Sequence, residues 1–319
     1  WVRDLDMRDS SQINVTADRL DSTPLVLTGN TESLYAFAVF DLKKDGPTVF
    51  EVPPGVMGPL DDHRFLFVAD IGPTGLDRGE GGKYLLLPPG YEGDVPDGYY
   101  VVKSKTYCVW NFMRGYVRGN VQDPANVKNA ADNIKANLKV YPLSRKDNPP
   151  KMQFKDMSGL AGYNTIMPND YSFFEKLHDL IQTEPDDYLG PEAKGMMAAI
   201  GIENGHDLSP DARMKAILTE AVAVANATAR ALTFRPRLEG VYYFPDRQWF
   251  TNFPGGSYEF MKQPGVRNLE GRVLFHYYAT GITPAMAMKM VGVGSQYAAA
   301  TTDSEGRPLD GSKTYKIHL

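Results

Sequence analysis

The sequence predicts an α+β protein: an antiparallel β-sandwich or jelly-roll N-terminal domain, a helical middle, and the start of a second, C-terminal jelly roll. Three observations predict it. Short apolar runs separated by glycine and proline extend from about Leu25 to Met113, helical periodicity takes over from Asp123 to about Val291, and strict alternation returns in Thr314–Leu319. These shifts set three stretches: 1–144 as the β domain with one trailing helix, 145–291 as a helical and aromatic-loop region, and 292–319 as the first strands of an incomplete domain.

The strongest strand signals are Leu34–Leu42, Thr48–Val52, Arg64–Asp70, Tyr84–Leu87, Tyr99–Lys103 and Cys108–Arg114. Linkers such as Pro53-Pro54-Gly55 and Pro88-Pro89-Gly90-Tyr91 are too short for the helical crossovers of parallel strands, so antiparallel pairing is expected. Asp123-Pro124 then reads as a cap with proline at the first helical position, followed by Val127, Ala131, Ile134 and Leu138 at helical spacing. The polar, proline-bearing stretch 141–150 marks the first boundary.

Asp170 opens a helix with Phe173, Phe174, Leu177, Leu180 and Ile181 on one face, and Pro185 ends it. Gly190-Pro191 begins a shorter one. Ser209-Pro210 caps a long helix whose stripe runs through Met214, Ile217, Leu218, Ala221, Val222 and Leu232, which must pack against something larger. From Arg235 to Gly271 aromatic residues crowd among glycines and prolines. Helices return at Glu270–Ala279 and at Thr283-Pro284 through Met286, Met290 and Val291, and Ser295–Thr302 is the only nearby partner for the terminal strand.

Composition excludes several classes. In 319 residues, 34 basic against 39 acidic side chains give a net charge of −5, which leaves no basic excess for nucleic acid. No apolar run approaches the roughly 20 residues that cross a bilayer, so no transmembrane segment is expected. One cysteine, Cys108, excludes an internal disulfide and two-thiol metal sites. Its place inside Tyr107-Cys108-Val109-Trp110 reads as packing. No metal ligand set and no cofactor motif emerge: the five histidines lack zincin spacing, and Arg78–Lys83 is followed by a strand where a phosphate loop needs a helix. Asp303-Ser304-Glu305-Gly306 with Asp310 reads as a hairpin turn rather than a calcium loop.

The stretch Asn30–Tyr35 with Asp41-Leu42, then Arg64–Asp70, Tyr84–Tyr91 and Trp110 with Arg114 resembles, in order and spacing, the module called domain of unknown function 1254. Ala300–Leu319, with Asp303, Gly306, Pro308–Gly311 and Tyr315, is similar to the opening of its companion, domain of unknown function 1214. The resemblance implies a mainly antiparallel β domain, a helical middle and a C-terminal jelly roll, with further polypeptide completing that last domain. It implies no reaction.

Candidate chemistry centres on strand ends. Asp41, Asp70, Tyr35 and Glu32 are the candidate catalytic residues, as acids and a phenol for proton transfer. Arg78 and Arg114, with Trp249 and Tyr258 from the aromatic stretch, are the candidate ligand-binding residues. Asp61-Asp62-His63 reads as a solvated loop, and His276 as a core histidine. The expected function is an exported, periplasmic or cell-surface ligand-handling protein acting on a small polar molecule or carbohydrate, with hydrolase the reaction class if it is an enzyme. The alternative is a non-catalytic binding or assembly protein, and a homo-oligomer is expected either way.

Overall fold

A computed structural model describes residues 10–20, 23, 26, 29–159, 167–279, 281–289 and 296–317. The chain divides into two compact units, one of residues 1–223 with 280–283, the other of 224–279 with 284–319.

Among the described residues, ten strands and five helices begin in the first unit: β1 (Gln12–Val15), β2 (Ser33–Asp41), α1 (Leu42–Asp45), β3 (Thr48–Val52), β4 (Val56–Asp62), β5 (Phe67–Ile71), β6 (Gly82–Leu87), β7 (Tyr100–Lys103), β8 (Cys108–Tyr116), α2 (Pro124–Asn137), β9 (Lys139–Pro142), β10 (Gln153–Asp156), α3 (Ser172–Thr183), α4 (Pro191–Ala198) and α5 (Ala212–Phe234). They build a six-stranded sheet ordered β10-β1-β2-β8-β4-β5 and a four-stranded sheet ordered β7-β6-β3-β9. The architecture is therefore mixed α+β.

Strand β2 shows why the sheets form. Successive side chains point to opposite faces, and every residue from Ser33 to Phe40 is buried. Ala36, Ala38 and Phe40 enter a core that also takes Phe50, Val52, Tyr84 and Leu86 from the smaller sheet. Tyr35, Phe37 and Val39 face the other way, joined by Trp110 and Phe112, with Tyr35 stacked on Phe112 at 5.0 Å between ring centroids. Burial on both faces explains the near-continuous apolar run.

Two pairings depart from the antiparallel expectation: β6 with β7 and β1 with β10 are parallel. The first is connected by residues 88–99. That loop contains no helix, yet it is long enough to carry the chain back to the start of a parallel neighbour. Strand β4 was not foreseen, because Gly58, Pro59, Asp61 and Asp62 read as turn and solvent residues. It lies in the sheet interior between β8 and β5. Glycine is required there: a Cβ on Gly58 would stand 2.1 Å from the Phe112 carbonyl oxygen.

Helix α2 starts where the sequence places it, with the Asp123 carboxylate accepting the Ala125 amide at 2.9 Å. Its Val127, Ala130, Ala131 and Ile134 are buried. Helix α5 begins two residues later than Ser209-Pro210 suggested, and Asp211 Oδ1 accepts the Met214 amide. Within unit 1 its Leu218 and Val222 pack with Phe174, Ile181 and Ile202, while Ile217 stays 43% exposed. The full stripe is thus not covered.

The second unit holds the rest of α5, β11 (Met261–Gln263), β12 (Val266–Arg267), α6 (Leu269–Tyr278) and α7 (Pro284–Ala287). Its core gathers Val241, Phe250 and Leu274. His276 is exposed, which corrects the core reading. Asp303 forms the expected turn: Oδ1 accepts the Glu305 and Arg307 amides, and Oδ2 accepts Arg307 Nε. Thr314–Ile317 form no strand and are exposed, while 290–295 and 318–319, including Met290, Val291 and His318, lie outside the described residues. No helix among the described residues is long and apolar enough to cross a membrane.

Candidate functional site

The polar centre of unit 1 is built where β4 turns into β5. Asp61 and Asp62 end β4 and are buried, so the solvated-loop reading of Asp61-Asp62-His63 is corrected. Asp61 pairs in register with Trp110, and the side chain therefore shares the face of Tyr35 and Phe112. There Asp61 Oδ2 accepts the Ile282 amide at 2.8 Å. On the neighbouring strand Asp70 Oδ2 accepts the Thr283 hydroxyl at 3.0 Å. Burial pushes the Asp70 carboxyl up to about 6, although hydrogen bonds from Thr283 and Thr74 oppose the shift. Two buried acids thus fasten the segment 281–283 to the sheet.

Asp62 is committed locally. Its Oδ1 accepts the Arg64 and Leu66 amides, and its Oδ2 accepts Arg64 Nη2 at 2.8 Å and Nε at 3.1 Å. Arg64 reaches on to the Tyr188 carbonyl at 3.1 Å and lies over the Tyr188 ring at 5.4 Å. Glu184, one residue past α3 and with a wholly buried side chain, accepts the Tyr107 amide at 2.6 Å and the Cys108 amide at 2.9 Å. Its Oε1 also lies 3.1 Å from His63 Nδ1. That contact lacks the angle of a hydrogen bond, and neither His63 ring nitrogen has a hydrogen-bond partner among the described residues.

Beside this cluster lies a cavity of about 270 Å³ formed by the end of α3, the turn after it, α4 and residues 202–204. Its walls are Ile181, Pro185, Tyr188, Leu189, Met197, Ala198 and Ile202, with Asp186, Lys194, Glu203 and Asn204 as polar groups. Asn204 holds the wall in place by donating to the carbonyls of Ile181 and Glu184. Few polar groups on an apolar lining is the usual character of a small-molecule site.

The residues singled out from sequence scatter. Tyr35 is fully buried, and its hydroxyl accepts the Asn30 amide at 2.9 Å. Asp41 caps α1, accepting the Lys43 and Lys44 amides. Six residues apart on one strand, Tyr35 and Asp41 stand about 20 Å from each other. Asp70 lies three strands away, opposite Pro59, and Glu32 is exposed. The four therefore do not converge. Arg78 is exposed in a turn with φ 50°, and Arg114 is half-buried in β8 between Tyr35 and Met57. Trp249 and Tyr258 belong to the second unit, both half-buried.

Cys108 supplies no nucleophile, because burial, then the carboxylates of Glu184, Asp41 and Asp62, push its thiol up to about 12. Among the described residues no group of three or more His, Cys, Asp and Glu side chains is arranged to hold a metal ion. Glu184, Tyr188 and the cavity walls went unforeseen. Only the stop at Pro185 hinted that the chain turns there; the contacts themselves span 76 and 77 residues.

Fold and site define a mixed α+β protein of two compact units, the first carrying a buried ionic cluster next to a small cleft. Residues 11–142 match the family model described as Protein of unknown function (DUF1254), which supports the N-terminal module. The crystal structure of the VPA0106 protein from Vibrio parahaemolyticus is similar in fold, at 17% identity and a TM-score of 0.52. The likeness covers 91% of this chain and 66% of that one, so the chain spans just under two thirds of that protein's length. No curated protein matches the chain.

Proposed function

We propose that unit 1 is a ligand-binding module that takes a small molecule into the cleft between α3 and α4, without catalysing a reaction there. The observation that carries this reading is the cavity of about 270 Å³ with an apolar lining and a few polar groups. The neighbouring acids support binding over hydrolysis. Asp62 and Glu184 are consumed by internal hydrogen bonds, and a glycosidase pair needs two available carboxyls roughly 5 to 9.5 Å apart. The hydrolase expectation, which needs Asp41, Asp70, Tyr35 and Glu32 together, loses its geometry when they are spread along and across the sheet.

We also read the two sheets, with their shared core, as a β-sandwich, and residues 300–319 as the opening of a second module of the kind called domain of unknown function 1214. The turn at Asp303 supports the latter.

The cleft is tested by recording amide chemical shifts while a mixture of small amphipathic molecules is titrated into the protein and into Ala198→Trp. Ala198 is exposed on the cleft wall, so a large side chain there blocks the space and leaves the core alone. Shifts confined to residues 181–204 in the wild type and lost in the variant, with an unchanged melting temperature, are expected. Shifts elsewhere, or none, refute the reading.

A further inference from the structure

We infer that the cleft selects a cationic ligand, a primary or secondary ammonium on a short alkyl or ring body. This rests on the cleft being a binding site, as proposed above. Three features of charge point the same way. Lys194 is the only basic residue on the lining, and its Nζ is already held by Asp186 Oδ2 at 2.6 Å. Glu203 keeps a carboxylate with no hydrogen bond or ion pair among the described residues. The third is helical: Ile181 belongs to the last turn of α3, and Met197 and Ala198 to the last turn of α4, so two helix C-termini end at the same cavity.

Aligned peptide dipoles leave partial negative charge at a helix C-terminus. A basic side chain near the last turn commonly offsets it: Lys43 Nζ does so for α3, donating to the Gln182 carbonyl at 3.5 Å, whereas α4 has no basic residue in its last turn. A cation entering the cleft meets one unmatched carboxylate and the uncompensated C-terminal end of α4, whereas an anion meets the same groups as repulsion. Ile181, Leu189, Met197 and Ile202 offer the apolar body a wall that gives up water on contact.

Hexylamine, hexanol and hexanoate share one chain and differ in the head group, so they separate the charge from the cavity. Each is titrated at neutral pH and constant ionic strength, read by amide shifts, into the wild type, Glu203→Gln and Ala198→Trp. Hexylamine is expected to bind about fivefold tighter than hexanol, the size of effect of a surface charge with one helix dipole, and hexanoate weakest. Glu203→Gln is expected to weaken hexylamine about threefold and leave hexanol unchanged. If hexanol or hexanoate binds as well as hexylamine and Ala198→Trp still blocks it, the cleft stands and the cation preference is overturned. If none of the three produces shifts that Ala198→Trp removes, the cleft reading falls and the preference with it.

Discussion

Replacing Glu184 should cost unit 1 several kcal/mol, because this carboxylate terminates the backbone at the start of β8. The Tyr107 and Cys108 amides both donate to it, at 2.6 and 2.9 Å, and the side chain is fully buried. A hydrogen bond to a charged group contributes about 1.5–3 kcal/mol, so Glu184→Ala removes roughly 3–6 kcal/mol from two such bonds. Water entering the vacated space returns part of that, and about 3 kcal/mol is the expected net loss. Glu184→Gln keeps one acceptor oxygen and should lose about half as much. The assay is urea unfolding followed by tryptophan fluorescence in a Trp249→Phe background, which removes the tryptophan at position 249 in unit 2. With a slope of about 2–3 kcal/mol per M, the Ala variant should shift the midpoint down by about 1 M or more. A shift equivalent to less than about 1 kcal/mol would refute the claim that these two amides depend on Glu184. Equal losses for Ala and Gln would refute it differently, placing the energy in the negative charge facing His63 rather than in the amides.

Asp70 should make stability rise as pH falls from about 6 toward 4. Its carboxyl titrates near 6 when folded against 3.8 as the ordinary value, so the folded state binds the proton more readily, and roughly 3 kcal/mol of penalty present above pH 6 is relieved below the unfolded pKa. Asp70→Asn should flatten that limb in chemical unfolding measured across pH, and an unchanged slope would contradict the burial argument. Glu51 acts in the opposite sense: hydrogen bonds from Tyr141 and Lys139, with the charge of Lys83, outweigh burial and hold its carboxyl below 4.5, so its contribution is present above pH 4.5 and lost on acidification, and Glu51→Gln should lessen acid sensitivity. Gly58→Ala should cost more than about 3 kcal/mol, since the added carbon meets the Phe112 backbone, whereas Gly90→Ala, with nothing within 4 Å and only φ +69° to oppose it, should cost about 1 kcal/mol; comparable melting temperatures would be inconsistent with β4 lying inside the sheet. Native Cys108 should react with iodoacetamide at pH 8 about a thousandfold more slowly than in urea, given a thiol near 12, and equal rates would show an accessible thiolate.

What the sequence shows and what it hides follow from the range of the interactions. Helix α2 was legible because its signals are local: Asp123, Pro124 and the buried Val127, Ala131 and Ile134 fall within one element. The strands β2, β3 and β8 were legible because apolar runs survive burial on both faces. Strand β4 was hidden by its own composition, since Gly58 and two acids are tolerated there only through partners on β8 and in segment 281–283. The cleft was hidden for a related reason. Glu184 and Asn204 carry no pattern of their own, and the hydrogen bonds that bring them together depend on the folded path of the chain. Asp41 and Tyr35 both read as strand-end residues, but they lie near opposite ends of one strand, which holds them about 20 Å apart.

The fastening of 281–283 has a practical consequence for anyone cutting the gene. Unit 1 is not one contiguous coding stretch: Ile282 reaches Asp61 across 221 positions and Thr283 reaches Asp70 across 213. An expression fragment ending at Ala223 would include both acids and neither of those donors. Excising the second unit cleanly therefore calls for a graft that leaves the short returning peptide joined to the first, and a stop codon at the apparent border would yield a piece whose sheet is missing part of its own cover.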